Sequence, residues 1–296
     1  MKLRGLYTAI VTPFDADGEL DQAAFLRLID MQIAGGVNGI VVTGSTGEGA
    51  TTTTAEKERL WSWAVEHVAG RVSVIAGTGT NDTRSTIELT ALAKRCGAQA
   101  ALLVTPYYNK PTQAGIIAHH KAVADAVDLP QIMYNVPGRT ATNVLAETQI
   151  AIAEASTNVV ATKEASANLE QISEIIRNAP AHFSVLAGDD VLALPTIACG
   201  GTGVIAVISN YLPVTYADLV GAALKGDVAT AGKRQRQLMP YYKANFIESN
   251  PVPVKYIMHR LGYIGPDYRL PLVPPLASTR AALDALLLGI SDPLVD

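Results

Sequence analysis

Eight short runs of apolar and β-branched residues recur along the chain, each followed by a stretch whose apolar positions return at helical spacing. The runs begin near Leu6, Val37, Val72, Ala100, Gln131, Val159, Phe183 and Gly203. Short, nearly continuous apolar runs of this kind suit strands buried on both faces, as parallel strands are. Their intervals shrink from roughly 30 residues to about 20, the range of a strand–helix unit. Helices are predicted over 21–34, 54–68, 83–96 and 112–126. Thr54 before Ala55-Glu56-Lys57 reads as an N-cap, and Gly97 as the stop after Cys96. Eight α/β units favour a closed (β/α)8 TIM barrel over an open doubly wound sheet. After the eighth unit the period ends, and helices are predicted over 227–244, 253–260 and 277–288. The expected organisation is a barrel over 1–225 and a C-terminal helical extension over 226–296. No low-complexity linker separates them, so they are read as one structural unit.

Composition narrows the function. A chain of 296 residues, 49% hydrophobic, has ample material for a barrel-sized core. The formal net charge of -4 and the absence of any Lys/Arg run give no electrostatic case for nucleic acid. Cys96 and Cys199 fit neither a disulfide framework nor a zinc pattern, and both are expected to be core thiols. The first residues lack a signal-peptide pattern and no apolar run reaches membrane-spanning length, so a cytoplasmic protein without a membrane partner is expected.

In such a barrel the chemistry lies at the carboxyl ends of the strands. Polar and titratable residues gather there: Thr43-Gly-Ser-Thr-Gly-Glu48, Thr105-Pro-Tyr-Tyr-Asn-Lys110, Tyr134-Asn-Val-Pro-Gly-Arg-Thr140, Lys163-Glu164 and Gly188-Asp-Asp190. Val159, Ala161 and Lys163 are expected to share one side of the sixth strand, placing an amine at the mouth of an apolar layer. Burial disfavours an ammonium, which is how a lysine becomes a nucleophile towards a carbonyl. Taken alone, Lys163 reads more simply as a solvent-facing side chain or a partner of Glu164, and it is the other residues on the same rim that reverse this. Gly44-Ser-Thr-Gly-Glu-Gly-Ala-Thr51 nearly spells a phosphate loop, but Ala50 stands where a lysine is required and Glu48 adds negative charge. Its N–H groups and hydroxyls suit a small carboxylate, or simply a helix cap. None of His67, His119, His120, His182 and His259 falls at an active strand end. Tyr134, on the strand beside Lys163, is the candidate to move protons, the alternative being a core tyrosine. Arg139 can grip a carboxylate, or form a surface ion pair. Tyr107 and Tyr108 can form a lid or an oligomer contact.

Together, Gly44-Ser-Thr-Gly-Glu48, Thr105-Pro-Tyr-Tyr-Asn-Lys-Pro111, Tyr134-Asn-Val-Pro-Gly-Arg-Thr140 and Lys163-Glu-Ala165 resemble the pyruvate-dependent class I aldolases, and within them the dihydrodipicolinate synthase family. The similarity runs from Leu6 to about Pro274, through Asn250-Pro-Val-Pro-Val-Lys255 and Arg269-Leu-Pro-Leu-Val-Pro274. By that resemblance Lys163 forms a Schiff base with pyruvate, and Tyr134 donates and accepts protons. Tyr134 is linked through Ser45 to Tyr108 of a neighbouring subunit in a homotetramer. Thr46, Gly188 and the Ile205 backbone bind substrate, and Arg139 takes the carboxylate of L-aspartate 4-semialdehyde. Neither a metal nor an organic cofactor is implied. Two departures stand out. Ser45 replaces the usual threonine, as in sialic-acid lyases, and loses the methyl group that restricts its rotamer. Lysine-inhibited members carry a histidine and a glutamate where this chain has Thr54 and Ser85, although Asn81 and Tyr107 are retained, so weak or absent lysine feedback is expected.

Overall fold

A computed structural model describes residues 1–290, and its eight strands pair in chain order into one closed parallel barrel. The strands are β1 (Gly5–Ala9), β2 (Gly39–Val42), β3 (Ser73–Gly77), β4 (Ala100–Val104), β5 (Gln131–Asn135), β6 (Val159–Glu164), β7 (Ser184–Ala187) and β8 (Gly203–Ala206). Around them run α1 (Gln22–Ala34), α2 (Thr54–Val68), α3 (Thr83–Arg95), α4 (Gln113–Ala126), the short α5 (Pro137–Thr140), α6 (Ala146–Ala155), α7 (Leu169–Asn178), α8 (Ala193–Ala198) and α9 (Pro213–Leu224).

Alternation along each strand divides the core in two. Tyr7, Val41, Ile75, Leu102, Ile132, Ala161, Leu186 and Ile205 fill the barrel. Leu6, Ile40, Val74, Ala101 and Val204 face outward and pack with helix residues such as Phe25, Leu28 and Trp61. Gly39 pairs with Tyr7, and a Cβ there would lie 2.7 Å from the ring, so only glycine leaves the phenol its place.

β6 departs from simple alternation. Its register on β5 shifts between Gln131 and Ile132: Val159 lies opposite Gln131 and Ala161 opposite Ile132, leaving Val160 as the extra residue. Val159 therefore packs outside the barrel with Met133 and Ile172, while Val160 and Ala161 face the interior cluster. The expectation that Val159 shares a side with Lys163 fails for this reason. The bulge resets the alternation just before the lysine.

Two local readings also change. The cap of α2 is Thr53, not Thr54, because Glu56 three residues on reaches back to the Thr53 backbone N–H and closes a capping box. The cysteines are not core thiols: Cys96 is half-buried and Cys199 exposed. Both are C-caps, of α3 and α8, at the periphery of the helical layer.

The C-terminal layer consists of α10 (Val228–Ala244), α11 (Val252–Arg260) and α12 (Ala277–Leu287); the end of the predicted extension, 291–296, lies outside the described residues. Leu238, Tyr242, Val254 and Ile257 of this layer join the outer core beside Tyr211 and Tyr216. Arg269 fastens it to the barrel, donating to both Glu56 carboxylate oxygens (2.7 and 3.0 Å) and to the Gly18 and Thr51 carbonyls. The guanidinium holds the Glu56 carboxyl at about 2, below the ordinary carboxylate range. A depressed carboxylate contributes stability above its unfolded value and loses it as the pH falls towards the folded one. Arg269→Met is therefore predicted to cost more at pH 7 than at pH 3, by about 1–2 kcal/mol for this partly solvated pair. Urea unfolding of both proteins at the two pH values checks it, and an equal cost at both would contradict it.

Candidate active site

The carboxyl ends of the strands open into a cavity of about 490 Å³ whose lining includes Ser45, Tyr107, Tyr134, Arg139 and Asn250. β5 and β6 bring two of the predicted residues side by side, since Tyr134 and Lys163 are register partners. Both face inward, and they are 6% and 5% exposed. Lys163 Nζ lies 4.2 Å from the centroid of the Tyr134 ring, which itself lines the cavity. The amine thus has an aromatic face beside it and the apolar barrel floor of Ala161, Ile132 and Leu186 in the same cluster.

The loop after β2 carries Ser45 and Thr46. Ser45 is half-buried in the cavity wall, and among the described residues no hydrogen bond joins its hydroxyl to Tyr134. Thr46 is buried, and its Oγ1 accepts a 2.9 Å bond from Asn250 Nδ2. Thr43 turns the chain with a φ of 58° and accepts from Trp61 Nε1 at 2.8 Å. The loop passes so closely over β3 that a Cβ on Gly77 would lie 2.4 Å from the Thr43 carbonyl oxygen.

Behind this loop is an ion pair the sequence did not announce. Glu48 and Lys255 meet at 2.6 Å, each side chain only 1% exposed. Lys255 also lies over the rings of Phe14 and Tyr268, at 4.6 and 5.2 Å. The glutamate that spoils a phosphate loop borders the cavity, but its charge is taken up by a lysine of the C-terminal layer. Lys57 braces the same loop by donating to the Gly49 (2.7 Å) and Thr52 carbonyls, and burial lowers its amine below the usual lysine range.

Arg139 stands at the mouth on α5, exposed, with Nη2 donating to the Asn250 carbonyl at 3.0 Å. Among the described residues it has no acidic partner, so the alternative of a surface ion pair is not formed. Tyr107 lines the cavity, whereas Tyr108 points away from it, 89% exposed and with a φ of 72°. Lys163, Thr46, Gly188 and Ile205 are not part of the lining: Lys163 lies against the Tyr134 ring, Ile205 lies in the barrel floor, and Gly188 donates its N–H to the Glu164 carbonyl at 2.7 Å.

The end of β7 holds two carboxylates to which the sequence reading gave no role. Asp190 is buried and accepts from the Val207 and Ile208 N–H groups at 2.9 and 2.7 Å, tying β7 to the chain after β8, and burial pushes its carboxyl up to about 6. Burial also raises Asp189, against the opposing pull of the charge on Lys163. Asn250 was equally overlooked, although it bonds both Thr46 and Arg139; its signal was its place in the Asn250-Pro-Val-Pro-Val-Lys255 motif. The histidines stay out of the site. His120, buried in α4, is pushed down to about 3 and remains neutral.

The dihydrodipicolinate synthetase family model matches residues 2–289. The chain belongs to this family. It is 45% identical over its full length to the 4-hydroxy-tetrahydrodipicolinate synthase of Salinibacter ruber, covering 97% of that protein. It is 48% identical to the enzyme of that name from Syntrophotalea carbinolica, over 96% of this chain and 97% of the other. The crystal structure of dihydrodipicolinate synthase from Aquifex aeolicus superposes with a TM-score of 0.95 at 43% identity, over 97% of each chain. The resemblance drawn from the sequence motifs and the barrel drawn from its periodicity are both borne out.

Removing one member of a buried ion pair strands the other without compensation and costs about 3–5 kcal/mol, while replacing both by apolar groups costs far less. Lys255→Met is predicted to lose stability in that range, and Glu48→Leu/Lys255→Met together to lose less than Lys255→Met alone. Denaturant unfolding of the three proteins decides it, and a double variant at least as unstable as the single one would refute it.

Proposed function

We propose that this protein condenses pyruvate with L-aspartate 4-semialdehyde to give 4-hydroxy-tetrahydrodipicolinate, with Lys163 as the Schiff-base residue. The observation that carries the assignment of roles is the pairing of a buried amine with a buried phenol on adjacent inward-facing strands. The Lys163 amine adds to the keto carbon of pyruvate, and loss of water leaves an iminium. That nitrogen withdraws electrons, so the methyl carbon gives up a proton and becomes the nucleophilic end of an enamine. The enamine attacks the aldehyde of the second substrate. Its amino group then displaces Lys163, the ring closes, and the free amine returns. Tyr134 moves the protons, since no histidine lines the cavity among the described residues.

Thr46 and the backbone of the same loop receive the pyruvate carboxylate, with Asn250 holding the Thr46 hydroxyl in place. Arg139, at the mouth and with no acidic partner among the described residues, receives the carboxylate of the semialdehyde. We assign Tyr108 to the cavity of a neighbouring subunit in a homotetramer. A tyrosine 89% exposed in a left-handed backbone conformation is held outward at a cost, and a neighbouring site gives that cost a use. No helix among the described residues is long and apolar enough to cross a membrane.

Ser45 supports a second reading, cleavage of N-acetylneuraminate or a related sugar acid. Steady-state assays of pyruvate with L-aspartate 4-semialdehyde and with N-acetylmannosamine separate the two. Turnover is expected with the former, and Arg139→Ala should lower its kcat/KM by about 100-fold, as loss of a bidentate carboxylate contact does. Turnover with the amino sugar alone would overturn the reading. Weak or absent feedback is proposed for lysine. Ser85 donates its hydroxyl to the Asp82 carboxylate at the cap of α3, at 2.6 Å, and Thr54 is merely the first residue of α2. Half-inhibition at low-millimolar lysine in the same assay would contradict this.

A further inference from the structure

One residue beyond Lys163, on the opposite face of β6, Glu164 is fully buried. Among the described residues its carboxylate accepts only from neutral groups. Asn135 Nδ2 donates to both oxygens at 3.0 Å, Gln149 Nε2 at 2.6 Å, Gln171 Nε2 at 3.3 Å and the Ser166 N–H at 2.8 Å. Among the described residues no ion pair includes it. The donors come from β5, α6, α7 and the turn after β6, and a fourth amide closes the set: Asn143 accepts from Asn135 at 2.8 Å and donates to Gln171 at 2.8 Å.

A desolvated carboxylate without a counter-ion is costly, and packed apolar side chains would hold a barrel to its helices at lower cost. Its place in the chain suggests what it does. Asn135 follows Tyr134 directly and Glu164 follows Lys163, and the two pairs are consecutive register partners on β5 and β6. The same network fixes both ends of the segment that carries Arg139, since Asn135 Oδ1 accepts from the Val144 N–H at 3.0 Å while Asn143 bonds Asn135 and Gln171. A carboxylate suits this junction because every group that meets it is a donor; an amide would turn its own N–H groups against some of them.

We propose that Glu164 is a positioning residue for the condensation, acting through the alignment of Tyr134 with Lys163. The inference rests on the function proposed above. It departs from a purely structural role in one respect: its effect on rate passes through the phenol, so it disappears when the phenol is gone.

The test is a double-mutant cycle on kcat with pyruvate and L-aspartate 4-semialdehyde, using Glu164→Gln, Tyr134→Phe and the combined variant, with folded fraction measured by circular dichroism. Glu164→Gln is expected to lower kcat at least tenfold in the wild-type background and less than threefold in the Tyr134→Phe background. Equal fold losses in both backgrounds, or a change within twofold in the wild type, would overturn the proposal. Should Glu164→Gln fail to fold, Gln149→Met keeps the charge and removes the shortest donor. It is then expected to lower kcat at least threefold with Tyr134 present and not measurably without it, and equal losses again overturn the proposal. The underlying function fails separately, through a wild-type protein that does not turn over this substrate pair.

Discussion

Everything in this molecule turns on the meeting of Tyr134 and Lys163 across β5 and β6. A closed barrel sends alternate side chains to its axis, and only the upper layer of that interior can be polar without spoiling the core. The bulge at Val160 sets which residues of β6 enjoy that position. Without the extra residue, the strand that presents Val159 to the helices would also present Lys163 to them. The amine would then be packed against the outer layer, where no substrate can reach it. The apolar floor of Ile132, Ala161 and Leu186 and the aromatic face of Tyr134 define the surroundings of the amine.

The rest of the site is brought to this pair by elements distant in sequence. Ser45 and Thr46 arrive on the β2 loop, which is held from behind by Lys255 and from the side by Asn250, both contributed by the C-terminal layer. Arg139 arrives on the four-residue α5 and takes its bearing from the same Asn250. The helices beyond the barrel are thus more than an appendage. Their buried lysine, their asparagine and Arg269 hold the β2 loop and the start of α2 in place.

Much of this was legible in the chain. The eight strands follow from apolar runs at βα spacing, and the inward direction of Ile132 and Tyr134 follows from period-two alternation. Lys163 stood out through its company, a lysine ending an apolar strand on the rim that also carries Ser45, Tyr134 and Arg139. What escaped notice was long-range or one residue out of step. The bulge in β6 leaves no mark in a run of Val159, Val160 and Ala161, since either register buries apolar groups. Glu48 and Lys255 are 207 residues apart, and nothing local in either says that they will pair. Four threonines from Thr51 to Thr54 offer a cap at each step, and only the reach of Glu56 selects Thr53. The cysteines were misread because small apolar neighbours were taken for burial, when both lie at helix ends.

The central claim is that one amine, sheltered beside one phenol, captures a ketone. Reduction of the full-length protein with borohydride in the presence of pyruvate, followed by peptide mass spectrometry, tests this most directly. A single adduct is expected, on the peptide that contains Lys163. An unmodified Lys163, or an adduct carried instead by Lys57 or Lys255, would contradict the account.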